Sequence, residues 1–312
     1  MRPPYKLTTE ILKLVSDVSI KIGEVNASFL TKQSPELRKR NRVKTIQASL
    51  SVEGNTLSID QITAIIENKR VLGPAKDIAE VSNAIEVYER LDKLNPFLEK
   101  SFLAAHQLLM KGLIQNAGKY RKSSVGIVKG SQVAHIAPPA SNVPFLMKEL
   151  FDYLKKDDEL ILIKSCVFHY EMEFIHPFSD GNGRMGRLWQ TLLLMHAYPL
   201  FEFLPFETLI SKNQKQYYKA LSASDKKGES TFFIEFMLTI LRESLDELLK
   251  ERVGPITSSQ RIRIFTETGI NEFTRKDYMQ YFKSISSATA SRDLFLAVKE
   301  GLVIKFGDKN KT

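Results

Sequence analysis

The segment from Ile175 to Trp189 reads IHPFSDGNGRMGRLW, and its reading decides how the rest of the chain is understood. Upstream, Leu160 to Ile175 carries apolar residues at helical spacing, and Pro177 cannot continue a helix. Asp180, Gly181, Asn182 and Gly183 predict a short loop, and a second helix opens near Arg184 with Leu188, Leu192 and Met195 on its buried face. Glycines on either side of Asn182 let backbone N–H groups turn outward with no Cβ in the way. Together with the free donors of the new helix they predict an anion cradle. Arg184 and Arg187 emerge on neighbouring faces, with Cβ atoms about 5–6 Å apart, and add two permanent cations. Asp180 is a hard oxygen ligand of the kind Mg²⁺ takes when phosphate oxygens complete its shell. His176 titrates near neutrality and can accept a proton, and Phe178 is expected to anchor the loop in the core.

Each feature alone has an ordinary explanation. A Gly-Asn-Gly run is a turn signal, a His before Pro is a common helix end, and two arginines opening a helix are often solvated. Here they coincide within twelve consecutive positions, His176 to Arg187, which favours a polyphosphate site with Mg²⁺ and a general base, that is, phosphoryl or nucleotidyl transfer. Competing chemistries lack their signatures. The chain contains no GxxxxGK[ST] and no GxGxxG, no HExxH and no cysteine cluster, and His169 and His176 do not make a zinc pattern.

Outward from this segment the chain reads as mostly helical. Leu57 to Glu67, Asp77 to Leu91, Phe145 to Leu154 and Phe232 to Leu249 all carry helical periodicity. Ser124 to Pro139 differs: Val125, Ile127, Val133 and Ile136 flank a Lys-Gly-Ser-Gln turn, which predicts a β-hairpin whose outer edge suits an extended peptide. Val43, Ile46 and Leu50 mark another helix, ending at Glu53 with Gly54 as its cap. A carboxylate there opposes the helix dipole and calls for a cationic partner elsewhere. A domain break is expected at Val253-Gly254-Pro255, just after the long helix.

The 312 residues allow two or three domains, and 45 Lys+Arg against 36 Asp+Glu leave a net charge of +9 that suits phosphate-bearing partners. Cys166 is the single cysteine, so no internal disulfide forms, and in an apolar helix it reads as a core residue. MRPPYKLTTE has no apolar core for a secretory signal. The most apolar window, Leu192 to Phe206, is interrupted by His196, Pro199, Glu202 and Pro205, so no membrane span and a cytoplasmic location are expected.

The run His176-Pro-Phe178-Ser-Asp180-Gly181-Asn182-Gly183-Arg184-Met-Gly-Arg187 resembles, at every fixed position, the motif of Fic-domain proteins. The resemblance implies a helical core with a β-hairpin flap that transfers AMP from ATP, with Mg²⁺, to a Tyr, Thr or Ser hydroxyl of a protein, this chain itself included. By that resemblance His176 is the base and Asp180 the Mg²⁺ ligand. Gly181, Asn182 and Gly183 hold the α- and β-phosphates by backbone and side-chain donors, Arg184 the β-phosphate and Arg187 the γ-phosphate. The flap, 124–139, aligns the target by strand addition, with Ile127, Val128, Lys129 and Gly130 covering the nucleotide, and Gly118-Lys-Tyr120-Arg121 and Pro138-Pro139 as flanks. Of Tyr217 and Tyr218, the second is favoured to pack on the adenine. Ser49-Leu-Ser-Val-Glu53-Gly54 is similar to the family's [S/T]xxxE[G/N] inhibitory motif, which implies that Glu53 pairs with Arg187 where the γ-phosphate belongs. The reverse reaction, de-AMPylation with Glu53 orienting a water, is open to the same site.

Three domains are therefore expected: 1–95, helical with the inhibitory helix; 96–253, the Fic catalytic core; and 255–312. In the last, three short helices and a strand from Gly301 to Gly307 resemble a winged helix-turn-helix. Its ten Lys+Arg against six Asp+Glu, with Ser287, Thr289, Ser291 and Arg292 on the third helix, suit DNA, and a protein or homodimer contact is the equal alternative. The corresponding second function is a DNA-binding regulator that uses the Fic site as a nucleotide sensor. Arg38-Lys39-Arg40-Asn-Arg42 reads as a solvated helix face.

Overall fold

The structure is a computed structural model describing residues 2–27, 35–124, 126–129, 132–156, 159–250, 257–266, 268, 270, 272–282 and 285–307, with backbone alone at 35–37, 126–129, 132–136 and 260. The chain divides into two compact units, Met1–Leu248 and Leu249–Thr312. The expected break at Val253-Gly254-Pro255 lies outside the described residues, and no division falls at residue 95, because residues 1–248 form one unit.

The first unit contains α1 (Thr9–Ala27), α2 (Pro35–Val52), α3 (Ile59–Ile66), α4 (Ala75–Tyr88), α5 (Glu99–Leu109), β1 (Gly126–Lys129), β2 (Gln132–Ile136), α6 (Val143–Leu154), α7 (Ile161–Ile175), α8 (Asn182–Ala197), α9 (Glu207–Lys212), α10 (Gln214–Lys227) and α11 (Thr231–Lys250). At its centre, α7 and α8 pack against each other, and both are buried nearly all round rather than along one stripe. The aromatic side chains of Phe102, Phe151, Phe168 and Trp189 fill the space beside them, Phe102 meeting Trp189 edge-on at 5.0 Å. The loop joining two such helices is thereby fixed at both ends.

Around this centre, α2 lies against α3, α4, α8 and α9. Val43, Ile46 and Leu50 are buried as their spacing requires, and so are the polar Asn41, Thr45 and Ser49 beside them. Arg38, Lys39 and Arg40 are exposed, while Arg42 is half-buried and pairs with Glu202 at 3.6 Å. The helix α1, for which the sequence reading had no counterpart, buries Ile11, Leu14, Val18, Ile22 and Val25 on one face. Helix α3 starts at a capping box, Ser58 with Gln61. The strands β1 and β2 pair antiparallel, with an irregularity between Ile127 and Val128, and β2 runs beside α10.

The second unit holds α12 (Ser258–Thr266), α13 (Arg275–Tyr281) and α14 (Ser287–Lys299). Phe265, Tyr278 and Ala290 form its core, with Phe273, Phe282 and Leu294 packed against them. Thr274 and Asp277 make the capping box of α13, and Ser286 caps α14. Arg261 and Asp293 form a buried ion pair at 2.6 Å, and Tyr278 donates to the same carboxylate at 3.1 Å. Among the described residues, 301–307 contain no strand: a turn and an irregular run stand where a wing was expected, because no second strand pairs with them. On α14, Thr289 is engaged in the cap with Ser286. The Ser291 hydroxyl donates to Ser287 O and accepts from Arg275, and Ser287 and Arg292 are exposed. No helix among the described residues is long and apolar enough to cross a membrane.

Candidate active site

Helix α7 ends at Ile175, and His176 caps it in the left-handed region (φ 50°), a conformation costly for a residue with a Cβ. The surroundings hold it there. Arg121, buried between the hairpin and the loop, donates to the carbonyls of Ile175, His176 and Pro138, and its own N–H donates to Pro177 O at 2.9 Å. One guanidinium thus ties the hairpin's flank to the His176 backbone. His176 Nδ1 lies 3.3 Å from Glu173 O. A carbonyl can only accept, so Nδ1 carries the proton and the lone pair of the neutral ring sits on Nε2.

The loop itself closes on Phe178, which is fully buried. Its N–H donates to Asn182 Oδ1 at 2.9 Å and its carbonyl accepts from Asn182 Nδ2 at 3.0 Å. The Asn182 side chain, which the resemblance implies as a phosphate donor, is therefore occupied in shaping the loop. His106 stacks on Phe178 with ring centroids 3.5 Å apart. His106 Nδ1 accepts from Gly118 N–H at 2.8 Å, so Nε2–H donates to Asp180 O at 3.0 Å. Burial lowers its pKa to about 4, as burial lowers that of His169, held by Gln190 and Tyr217, to about 3. The unfolded chain takes up these protons near pH 6.5 and the fold refuses them, so stability is expected to fall as pH drops from 6.5 towards 4. Thermal melts across that range check this, and a His106→Gln chain should lose part of the slope.

Helix α8 begins at Asn182, two residues before the expected start, with Gly181 as cap at φ 85°. A Cβ at Gly181 would meet Met110 Sδ at 2.7 Å, so both conformation and space require glycine there. Glu53 lies against the first turn of α8: a Cβ on Gly183 would collide with Glu53 Oε1. Glu53, just past the end of α2, pairs with Arg187 Nη2 at 2.7 Å. Arg187 is fully buried and also donates to Ser49 Oγ and Ser49 O. Burial opposes its charge, and the Glu53 carboxylate overcomes this and holds its pKa above the ordinary arginine value. An internal carboxylate therefore lies beside the first turn of α8 and pairs with Arg187.

Arg184 extends between two carboxylates: Nη1 reaches Glu80 of α4 at 3.0 Å, and Nη2 reaches Asp180 at 3.1 Å. Asp180 is half-exposed and also takes Gly181 N–H at 2.6 Å. Both bonds fall on Oδ1. A single carboxylate oxygen fits a magnesium ion whose remaining ligands are phosphate and water, and no group of three or more His, Cys, Asp or Glu among the described residues could hold a metal by itself. Tyr217 is core, with its hydroxyl 3.1 Å from His169 Nε2, whereas Tyr218 is half-buried within electrostatic reach of Glu53 and Arg187. Ile127 and Val128 lie on β1, and Gly130 is outside the described residues. Arg121, His106 and Glu80 carry this geometry. Sequence reasoning marked Arg121 only as a flank and missed the other two, whose partners are 74 and 104 residues away.

Residues 82–194 match the Fic/DOC family. A Fic family protein from Desulfovibrio desulfuricans G20 superposes with a TM-score of 0.78 at 43% identity, covering 96% of this chain and 92% of that one. Fic-1 of C. elegans shares the fold with a TM-score of 0.65 at 20% identity, over 77% of this chain and 72% of that one. The protein adenylyltransferase Fic of Nematostella vectensis is 26% identical over 84% of this chain, which spans 61% of that relative's length. With nearly the whole chain aligned to a Fic family protein and the loop between α7 and α8 built as described, this chain belongs to the Fic/DOC family.

Proposed function

We propose that this chain transfers AMP from ATP to a Tyr, Thr or Ser hydroxyl of a protein. The observation that supports the reading is the start of α8, where an internal carboxylate lies beside Gly183 and pairs with Arg187, with Arg184 held one turn away by Glu80 and Asp180. The names of relatives such as the adenylyltransferase of Nematostella vectensis support the nucleotide. The acceptor hydroxyl attacks the α-phosphorus in line, His176 Nε2 takes its proton, the new O–P bond forms and pyrophosphate leaves. The N–H groups of α8 and the Arg184 guanidinium stabilise the charge on the departing phosphates. Magnesium bound at Asp180 would neutralise part of the triphosphate charge. The hairpin of β1 and β2 serves as the flap on which the target's backbone docks, with Ile127 and Val128 over the nucleotide and Tyr218 beside the base. Glu53 is the inhibitory group, since its carboxylate and a γ-phosphate compete for Arg187.

The test is the position of the label. Incubated with magnesium and a protein acceptor, the chain should incorporate radioactivity from α-³²P-ATP and none from γ-³²P-ATP. Label from the γ-position would instead establish phosphoryl transfer and overturn the reading.

A further inference from the structure

Glu80 is a buried carboxylate that the proposed reaction does not use. It sits on α4 with 6% of its surface exposed, and both its oxygens are engaged. Oε1 accepts from Arg184 Nη1 at 3.0 Å, and Oε2 accepts from Asn55 Nδ2 at 2.9 Å. Asn55 follows the Glu53-Gly54 turn and is itself fixed, donating to Asp77 O at 3.1 Å and accepting from Leu57 N–H at 3.1 Å. Arg184 is likewise buried, its side chain 5% exposed. Its other carboxylate, Asp180, is half-exposed and stands where a metal and phosphates would compete for it. Glu80 is therefore the one anchor of Arg184, among the described residues, that nucleotide binding leaves in place.

We infer that Glu80 is a positioning residue: held by Asn55, its carboxylate fixes the Arg184 guanidinium for the β-phosphate of the bound nucleotide. The inference rests on the reading of Arg184 as a β-phosphate ligand. A charge-assisted bond to a buried, pre-oriented partner costs no reordering when the phosphate arrives. The same carboxylate, bonded to Asn55, links the segment carrying Glu53 to the phosphate site.

The experiment compares ADP and AMP binding to the full chain by calorimetry in metal-free buffer, because only ADP carries a β-phosphate. The readout is the ratio of the two affinities, and AMP binding certifies the fold. Glu80→Asp keeps the charge and withdraws the acceptor by about 1.5 Å. It should lower the ADP-over-AMP preference by about fivefold or more and leave AMP binding within about twofold. If Glu80→Asp does not fold, Asn55→Ala frees the carboxylate from its other side and should lower the preference by about twofold to threefold. A wild-type preference in a folded variant, or equal loss of both nucleotides, overturns the positioning role and leaves the nucleotide site standing. A wild-type chain that binds neither nucleotide, or both equally, overturns the β-phosphate reading and this inference with it.

Discussion

Replacing His176 by alanine should reduce label transfer from α-³²P-ATP by about 100-fold to 10,000-fold, the usual contribution of a positioned general base. ATP binding should stay within about twofold, because the phosphate contacts proposed above come from α8 and its arginines. The geometry supports a large effect. The His176 backbone is held in the left-handed region by Arg121, and its Nδ1 proton points to Glu173 O. That combination sets the tautomer that a base requires. Single-turnover labelling of the wild type and the variant checks the claim, and transfer at the wild-type rate would remove His176 from its role.

The second large effect is expected at Glu53. Glu53→Gly removes the anion from the first turn of α8 and frees Arg187, so transfer from ATP should rise by about tenfold to a hundredfold. The same change should lower stability by about 1–3 kcal/mol, since Arg187 is fully buried and keeps only its bonds to Ser49. Higher activity with lower melting temperature is an unusual pairing for a point variant, and it separates inhibition from general damage. Equal labelling by the two chains would show that the pair has no regulatory weight. The expectation starts from the geometry of Glu53: the carboxylate that meets Arg187 at 2.7 Å also fills the space beside Gly183, where the proposed function puts a phosphate.

Much of the site was legible because its chemistry is local. His176, Asp180, Gly181, Asn182, Gly183, Arg184 and Arg187 fall within one loop and one helix start, where residue type and spacing state the backbone geometry almost directly. Glu53 was legible for a different reason, since a carboxylate at a helix end leaves an electrostatic debt that asks for a cation. Other features had no local signal. His106 has the ordinary pattern of a helix interior, and only the fold stacks it on Phe178 and turns it to Asp180 O. The family resemblance implies a phosphate-donating side chain at Asn182, while the folded loop uses its amide to bind Phe178. The segment 301–307 has strand-like composition without a described partner strand.

The amino-acid sequence by itself determined the helical class, the loop between α7 and α8, and a carboxylate at the end of α2 that calls for a cation. These follow from periodicity, glycine placement and charge, which act over a few residues. Tertiary structure alone decided which groups meet: Arg121 on the His176 backbone, Glu80 on Arg184 with Asn55 behind it, Ser49 on Arg187, and residues 1–95 joined with α7 and α8 in one unit. Those contacts arise when apolar faces far apart in the chain are buried together. The polar groups carried inside must then find partners in the same small space, and no spacing along the chain encodes which ones they meet.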